Sequence, residues 1–184
     1  MAARILDKGG IIAYPTEAVY GLGCLPGKRD AVYRLLLLKK RSVSKGLILV
    51  AAFHEQLEQY VCYPGASVKK QVLATWPGPV TWLLPAKQEA PDWIKGSHTT
   101  VAVRVSGHPV VRALCREAGV LVSTSANPEH KLPAKTLRKV VEYFGHSLDY
   151  IVPGEVGGLA GPTEIRDAVS GEIIRPGGYS TRQV

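Results

Sequence analysis

The chain has 184 residues, of which 46% are hydrophobic, so it has the length of one globular domain and is too apolar for a disordered chain. Its glycine and proline contents exclude collagen and low-complexity sequence. The 23 Lys and Arg exceed the 15 Asp and Glu, giving a net charge of +8. This charge favours a polyanionic partner, either a nucleic acid or the phosphates of a nucleotide. A basic surface that serves only solubility explains the same charge.

Apolar runs and helical periodicity predict strands that alternate with helices. In chain order they are a strand at 10–14, a helix at 30–40, a strand at 47–52, helices at 54–61 and 67–75, strands at 80–84 and 101–105, a helix at 109–118, a strand at 120–122, a helix at 137–144, and strands at 150–152 and 172–175. Asp30 is expected to cap the first helix, and Pro109 and Gly119 to bound the helix at 109–118.

This alternation predicts an α/β fold, although its period is less regular than that of a doubly wound sheet. The stretches 85–98 and 153–163 are rich in loop residues, and loops of that length are usually functional. The sequence contains no internal repeat and no linker. We therefore predict one domain over 1–184.

The cellular context follows from what the sequence lacks. No apolar run approaches the roughly 18 residues of a membrane span, and the N-terminus has no apolar signal segment. We expect a soluble cytoplasmic protein that does not contact a membrane. Cys24, Cys62 and Cys115 are too far apart for a disulfide framework or a zinc site. The histidines are scattered too, so we expect no metal ligand from the protein.

The common nucleotide-binding and nucleophile motifs are missing. The stretch 21–28 is similar to a phosphate loop, but Leu22 stands in place of its first glycine and Arg29 in place of the magnesium-binding Ser or Thr. The chain also lacks a Rossmann fingerprint, a Gly-x-Ser-x-Gly elbow and a His-Glu-x-x-His motif. We therefore expect no covalent catalytic nucleophile.

Polar and glycine residues follow the first predicted strand. Thr16 and Glu17 come just after its carboxyl end, where α/β folds place ligands. Gly21 and Gly23 allow a positive φ or a close approach of the backbone. The segment is consistent with a ligand site and equally with a glycine-rich turn.

Basic residues concentrate where the first predicted helix ends. Lys39, Arg41 and Lys45 lie in a stretch without acidic residues, and three cations at this spacing can converge on a triphosphate. The helix dipole also favours cations at a helix C-terminus, by about 0.3–1 kcal/mol. Both explanations stay open at this point.

Two further segments are able to bind anions. The segment 123–127 offers three hydroxyls, an amide and free backbone N–H groups, which form either a cradle for anionic oxygens or a turn that satisfies its own backbone. Strand alternation puts Thr100, Ala102 and Arg104 on one face. Arg104 is able to bind a carboxylate with two hydrogen bonds, or it lies on the surface of an edge strand.

Seven motifs in a fixed order resemble the YrdC/TsaC family, which makes threonylcarbamoyl-AMP. They are Tyr-Pro-Thr-Glu-x-x-Tyr-Gly-Leu-Gly at 14–23, Lys-x-Arg at 39–41, Trp-Pro-Gly-Pro-Val-Thr at 76–81, Val-Arg-Val at 103–105, Ser-Thr-Ser-Ala-Asn at 123–127, Pro-Thr-Glu-Ile-Arg-Asp at 162–167 and Arg-Pro-Gly at 175–177. The length is similar to that of the short bacterial form. The resemblance implies a twisted open α/β sheet with flanking helices around a deep basic cavity.

The resemblance also implies an activity. L-threonine, bicarbonate or CO₂, and ATP with Mg²⁺ would give L-threonylcarbamoyladenylate and pyrophosphate. A separate complex would then pass the threonylcarbamoyl group to adenosine 37 of tRNAs that read codons beginning with A. Whether tRNA binds this chain directly is left open.

Residue roles follow from the family positions. Charge stabilisation is assigned to Lys39 and Arg41. The residues implied in ATP binding are Lys39, Arg41, Lys45, Thr100, Ser125, Asn127 and Arg175. The residues implied in threonine binding are Thr16, Arg104, Ser123 and Thr163. Ser42 and the segment 128–130 depart from the family pattern, so no contact is assigned to the loop 128–134.

Two other functions fit part of the pattern. A non-catalytic RNA-binding module would use the same cations, but it needs no threonine pocket and usually presents aromatic residues for base stacking. A carbamoyl-transfer domain of the hydrogenase-maturation type shares the fold. It normally lies in a much longer, cysteine-rich chain.

Overall fold

The computed structural model describes residues 1–178, so the last residues of the predicted domain 1–184 lie outside the described residues. The α-helices are α1 (Ala2–Asp7), α2 (Arg29–Leu38), α3 (Ala66–Leu73), α4 (Asp92–Lys95), α5 (Pro109–Ala118) and α6 (Leu137–Phe144). Short 3₁₀ turns lie at Val43–Lys45, His54–Leu57 and Gly145–Ser147. The strands are β1 (Ile12–Pro15), β2 (Tyr20–Cys24), β3 (Ile48–Ala51), β4 (Val80–Pro85), β5 (Thr100–Val105), β6 (Leu121–Ser125), β7 (Tyr150–Ile151), β8 (Glu164–Asp167) and β9 (Ile173–Arg175).

One mixed sheet joins these nine strands in the order β7-β1-β2-β6-β3-β5-β4-β8-β9. The pairs β1–β7, β3–β5 and β4–β8 are parallel, and the other neighbouring pairs are antiparallel. Helices flank the sheet, so the predicted α/β architecture is confirmed. Within residues 1–178, no helix combines the length and apolar character needed to span a bilayer.

The sheet separates two hydrophobic cores, because alternate residues of its central strands face opposite sides. Leu49 and Val103 pack in the larger core, together with Leu35 of α2. Val50 and Leu121 pack in the smaller core, which α1 and α5 cover. Near the central strands, α1 and α5 are therefore the helices that cover this face of the sheet.

The structure corrects several local predictions. The predicted helix at 54–61 is only the 3₁₀ turn His54–Leu57, because the chain then turns to pair Val61 with Ala86. Lys28 precedes α2 as its N-cap, and Asp30 lies inside the first turn. The sequence did not predict α1, α4 or β8, and α4 lies in the stretch 85–98 that was predicted to be rich in loop. Helix α5 begins at Pro109 and is followed by Gly119 with a φ of 87°, as predicted.

The glycine-rich stretch after Pro15 is strand β2 and not a turn. Glycine is normally depleted in strands. Strand β2 nevertheless forms, because it is hydrogen-bonded on both edges, to β1 and to β6, and all five of its residues are buried. Neither glycine in it has a positive φ. Gly23 is required for space, since a Cβ there would lie 2.4 Å from the Val122 carbonyl oxygen and 2.9 Å from the Tyr14 ring.

The substitution Gly23→Ala is expected to lower the free energy of unfolding by about 1–3 kcal/mol, because the methyl group must displace Tyr14 or the β6 backbone. Gly27→Ala is the matched control, since a Cβ at Gly27 meets no atom within 4 Å. Its effect should stay within about 0.5 kcal/mol. Chemical denaturation of both variants measures the difference. A wild-type midpoint for Gly23→Ala would contradict this packing.

Candidate functional site

Cross-strand pairing places several predicted site residues on one face of the sheet. Ser123 of β6 lies opposite Ile48 of β3, and Ile48 lies opposite Ala102 of β5. Neighbouring side chains across strands share a face, and so do residues two apart along a strand. The predicted residues that share this face are therefore Thr100, Arg104, Ser123 and Ser125.

Part of this face is left open. Near Val50 and Leu121 it is fully buried beneath α1 and α5. At its other end the side chains are only half-buried, and we call this part the open face. It is formed by Ile48, Leu83, Thr100, Ala102 and Ser125. The open face is a mostly apolar floor with hydroxyl groups, which is a suitable base for a ligand site.

Lys39 joins the end of α2 to the end of β6. Its Nζ donates hydrogen bonds to the carbonyl oxygen of Ser125 at 2.7 Å, to Oδ1 of Asn127 at 3.0 Å and to the carbonyl oxygen of Asn127. Burial, and next the charge of Arg41, lower the pKa of Lys39 to about 8. The structure thus brings together Lys39, Ser125 and Asn127 of the predicted ATP site, although Lys39 lies more than 80 positions before the other two.

Arg41 shapes the loop between α2 and β3. Its guanidinium donates to the carbonyl oxygen of Gly46 at 2.9 Å and to that of Lys45 at 3.3 Å. Its Nε is buried and has no hydrogen-bond partner within residues 1–178. Burial lowers the pKa of Arg41. The Lys45 side chain is exposed and makes no ion pair in the described chain, so convergence of all three cations stays a prediction.

The segment 123–127 differs from the expected cradle with free backbone N–H groups. Strand β6 continues to Ser125, between β2 and β3. The N–H of Ala126 donates to Tyr20 at 2.8 Å, and the N–H of Asn127 donates to Ser125 at 3.0 Å. These two N–H groups are therefore not free to bind an anion, and Ser125 Oγ donates to Asn127 Oδ1 at 2.6 Å.

Arg104 is buried in an ion pair and does not lie on an edge strand. Its strand β5 lies between β3 and β4, and its Nη1 lies 2.6 Å from Oε1 of Glu17. Ser106 Oγ and the Gly107 N–H donate to the same oxygen, at 2.7 and 3.0 Å. Burial by itself raises the pKa of Glu17, but the Arg104 charge and these hydrogen bonds outweigh it and hold the pKa at about 2. Glu17 is therefore ionised.

Ser123 and Thr16 are both held by contacts within the protein. The hydroxyl of the fully buried Tyr14 donates to Ser123 Oγ at 2.9 Å, and burial raises the pKa of Tyr14. Thr16 Oγ1 donates to the carbonyl oxygen of Val19 at 2.7 Å and closes the turn between β1 and β2. Both hydroxyls therefore have fixed orientations.

Arg175 and Thr163 meet at the β8–β9 edge of the site. The Arg175 guanidinium donates to the Thr163 carbonyl oxygen at 2.7 and 3.2 Å. The Thr163 hydroxyl lies 3.4 Å from that of Thr81 in β4. Burial, and next the charge of Arg104, lower the pKa of Arg175, so the two guanidinium groups are close enough to interact.

The predicted loop at 153–163 is present, and we call residues 153–161 the strap. The strap packs on the turn after β1, where the N–H groups of Gly157 and Leu159 donate to the carbonyl oxygens of Thr16 at 2.8 Å and Glu17 at 3.1 Å. A Cβ at Gly157 would lie 2.5 Å from the Glu17 carbonyl oxygen. The strap therefore needs a glycine where it covers Glu17.

Two surface cavities lie outside this group of residues. One of about 320 Å³ is lined by Arg34, Leu37, Leu38 and Ser147. The other, of about 610 Å³, is lined by His130, Lys131, Leu132, Pro133, Lys139, Glu142 and Tyr143. Neither contains a predicted site residue, so the deep basic cavity stays a prediction. Among residues 1–178, no three His, Cys, Asp or Glu side chains are grouped to hold a metal ion.

The sequence assigned no role to three residues that lie among the predicted site residues, although it placed Glu17 at the ligand end of the first strand. Glu17 pairs with Arg104, Ser106 donates to Glu17, and Tyr14 donates to Ser123. The sequence signal for Glu17 was a single carboxylate directly after a predicted buried strand. Burying a charge without a partner is costly, so a carboxylate at this position requires a partner of opposite charge. That signal indicates an ion pair, but it does not identify Arg104 as the partner.

Comparison with known proteins identifies the family. The family model for Sua5, YciO and YrdC, described as "Telomere recombination", matches residues 4–177. The chain belongs to the Sua5/YciO/YrdC family. Two relatives, both named threonylcarbamoyl-AMP synthase, come from Nitrosococcus oceani and Pseudomonas aeruginosa. They are 53% and 51% identical, and each alignment covers 95% of both chains.

Solved structures of Sua5/YciO/YrdC proteins have the same fold. P. abyssi Sua5 complexed with L-threonine is 31% identical, with a TM-score of 0.88 over 96% of this chain. This chain spans 53% of that Sua5 chain. E. coli YciO, at 24% identity and a TM-score of 0.84 over 98% of this chain and 89% of the YciO chain, supports the fold alone. The predicted family is confirmed, and the curated relatives support the predicted enzyme class.

Proposed function

We propose that this chain makes L-threonylcarbamoyladenylate and pyrophosphate from L-threonine, bicarbonate or CO₂, and ATP. The near-complete alignment with relatives named threonylcarbamoyl-AMP synthase supports this activity. The structural observation that carries the proposal is the open face, with Arg104 on the same side of the sheet and Lys39 at the end of β6. We also propose that the domain extends over 1–184 and acts in the cytoplasm.

The ATP side of the site is assigned to the cations near the end of β6. Lys39 and Arg41 are proposed to offset the phosphate charge, with Lys45 and Arg175 as further cations. Hydroxyl and amide groups are proposed to orient the nucleotide, and they belong to Thr100, Ser125 and Asn127. The contact of Lys39 with Ser125 and Asn127 supports this grouping.

The amino-acid side is assigned to the residues around the buried ion pair. Arg104 is proposed to bind the threonine carboxylate. Contacts with the rest of the amino acid are assigned to Thr16, Ser123 and Thr163. The fixed orientations of Thr16 and Ser123 fit a site that positions a small substrate.

The chemistry requires alignment of two anions. The neutral threonine amine attacks CO₂ and releases a proton to solvent, or it attacks bicarbonate with loss of water, and a carbamate forms. A carbamate oxygen then attacks the α-phosphorus of ATP, and pyrophosphate leaves. Because carbamate and triphosphate repel each other, the cations bring them together and stabilise the developing charge. No side chain needs to form a covalent bond.

Magnesium is proposed to arrive with ATP. The cations, hydroxyls and amide assigned here fit anionic oxygens better than a bare metal ion, so ATP phosphates and water would supply most of the Mg²⁺ ligands. We assign the later transfer to adenosine 37 of tRNA to a separate complex. Direct binding of tRNA to the basic surface would add to this function and would not replace it.

The direct test is pyrophosphate release with ATP, bicarbonate and each of the twenty amino acids in turn. Release with threonine alone, and only when bicarbonate is present, is the expected result. Release that does not depend on an amino acid would contradict the proposed reaction, and RNA binding without any release would favour the non-catalytic module.

Raising the pH above about 8 is expected to weaken ATP binding by up to tenfold per pH unit. The pKa of Lys39 is about 8, so Lys39 carries its charge below that pH and loses it above. Lys39→Arg keeps the charge and should flatten the profile. Calorimetry with ATP between pH 7 and 9.5 measures both proteins. If the ATP affinity falls equally steeply with pH in the wild type and in Lys39→Arg, the assignment of Lys39 to the phosphates is wrong.

A further inference from the structure

Each partner of the Glu17–Arg104 ion pair retains a buried polar atom without a hydrogen bond within residues 1–178. These atoms include Oε2 of Glu17 and Nε of Arg104. Oε1 of Glu17 accepts hydrogen bonds from Ser106 and Gly107, and it lies 2.6 Å from Nη1 of Arg104 in an ion pair without hydrogen-bond geometry. A buried polar group without a partner costs about 1–3 kcal/mol, and more when it is charged. The anion thus retains an acceptor and the cation a donor whose hydrogen bonds the described residues do not supply.

The surroundings of the ion pair are those of the proposed amino-acid site. Thr16 precedes Glu17 in the chain, and Arg104 is close enough to Tyr14, which holds Ser123, to influence its pKa. The strap contacts the Glu17 backbone, because the Leu159 N–H donates to the Glu17 carbonyl oxygen. The ion pair therefore lies near residues that were assigned to threonine on separate grounds.

We propose that the Glu17–Arg104 pair binds the amino acid as a zwitterion. Oε2 of Glu17 accepts a hydrogen bond from the α-ammonium group, and Nε of Arg104 donates one to the α-carboxylate. This inference rests on the proposed function and deepens it, because it names the ionic form that is recognised and adds Glu17 to the substrate-binding residues.

Charge balance favours this arrangement over binding of a simple acid. The ion pair has no net charge, and neither does the zwitterion, so the complex buries no excess charge. A hydroxy acid would bring a net negative charge, and its neutral hydroxyl would donate a weaker hydrogen bond to Glu17 Oε2 than the ammonium group does. The pair therefore discriminates against the substrate analogue that lacks the amine.

The same contact orients the amine for reaction. After the ammonium group has lost its proton to solvent, the neutral amine retains N–H groups that donate to Oε2. Its lone pair then points away from Glu17. Glu17 acts here as a binding and orienting group, and the proton does not need to stay on it.

The test compares L-threonine with 2,3-dihydroxybutanoate of the same configuration, in which a hydroxyl replaces the ammonium group. Calorimetry with the full-length wild type and Glu17→Gln gives the affinity for each ligand, by competition where direct binding is weak. We expect Glu17→Gln to bind threonine at least about tenfold more weakly, the range for a hydrogen bond to a charged group. Its affinity for the hydroxy acid should fall less than about twofold, or rise.

Two further variants make the result specific. Glu155→Gln removes the same charge from an exposed residue of the strap and should leave both affinities unchanged. Glu17→Asp keeps the charge beside Arg104 but shortens the side chain by one methylene. It should still lower the preference for threonine over the hydroxy acid, so it serves as the test if Glu17→Gln does not fold.

The outcomes separate this inference from the proposed function. An equal loss of affinity for both ligands in Glu17→Gln would mean that Glu17 only positions Arg104, and the zwitterion site would be wrong while the synthase activity could stand. Failure of the wild type to bind threonine would overturn the proposed function and this inference together. An unchanged threonine affinity in Glu17→Gln would also overturn the inference.

Discussion

Arg41→Ala should lower the rate of threonine-dependent pyrophosphate release by at least about 100-fold, the usual cost of removing one preorganised group that stabilises transition-state charge. The guanidinium is half-buried, and its Nε has no hydrogen-bond partner in the described chain. Its bonds to Gly46 and Lys45 hold it in place before a ligand arrives. The protein should remain folded, since these two bonds contribute only about 1 kcal/mol each.

Arg116→Ala is the matched control for this prediction. Arg116 lies exposed in the last turn of α5, so this variant loses the same charge without touching the site. Its rate should be close to that of the wild type. Pyrophosphate release and thermal unfolding, measured on the same preparations, separate a loss of chemistry from a loss of fold. A wild-type rate in folded Arg41→Ala would refute the phosphate role.

Arg104→Ala should raise the KM for threonine far more than the KM for ATP, because Arg104 is assigned to the threonine carboxylate. It should also reduce stability by about 3–5 kcal/mol, since it leaves the Glu17 carboxylate buried without its ion pair. Arg104→Lys keeps a positive charge next to Glu17 and should recover most of the stability. It should recover less of the threonine affinity, because lysine has no planar pair of donors.

Arg166→Ala controls for the loss of an ion pair in the sheet. Arg166 in β8 pairs with the buried Glu164, and its guanidinium lies over the ring of Trp82, which belongs to the core on the other face of the sheet. This variant should lose stability without a selective change in the KM for threonine. Steady-state kinetics at varied threonine and ATP measure the effect. If Arg104→Ala changes the KM for threonine and the KM for ATP equally, the assignment of Arg104 to the threonine carboxylate is wrong.

The comparison of β2 with its prediction shows why local propensity was insufficient. Gly21 and Gly23 indicated a turn, because glycine has no side chain to pack in a strand. In the structure their hydrogen bonds to β1 and β6 outweigh that preference. The ring of Tyr14 occupies the space that a side chain at Gly23 would need. The glycines therefore indicated close packing, which the sequence alone could not distinguish from a turn.

Several parts of the site were predictable because they depend on short-range rules. The period of two along a strand was enough to place Thr100 and Arg104 on one face. The helix predicted at 30–40 is present as α2, although α2 ends at Leu38, two residues before the predicted end. The order of seven motifs was sufficient to recognise the family, which the match over residues 4–177 confirms.

The sequence by itself thus determined the family and the main strands, since these follow from local periodicity and motif order. Only the tertiary structure decided that Glu17 neutralises Arg104 and that Lys39 reaches Asn127. Both contacts join residues more than 80 positions apart, and no local pattern encodes which distant partner a buried charge will meet. Desolvation makes such a partner necessary, but the order of strands in the sheet selects it.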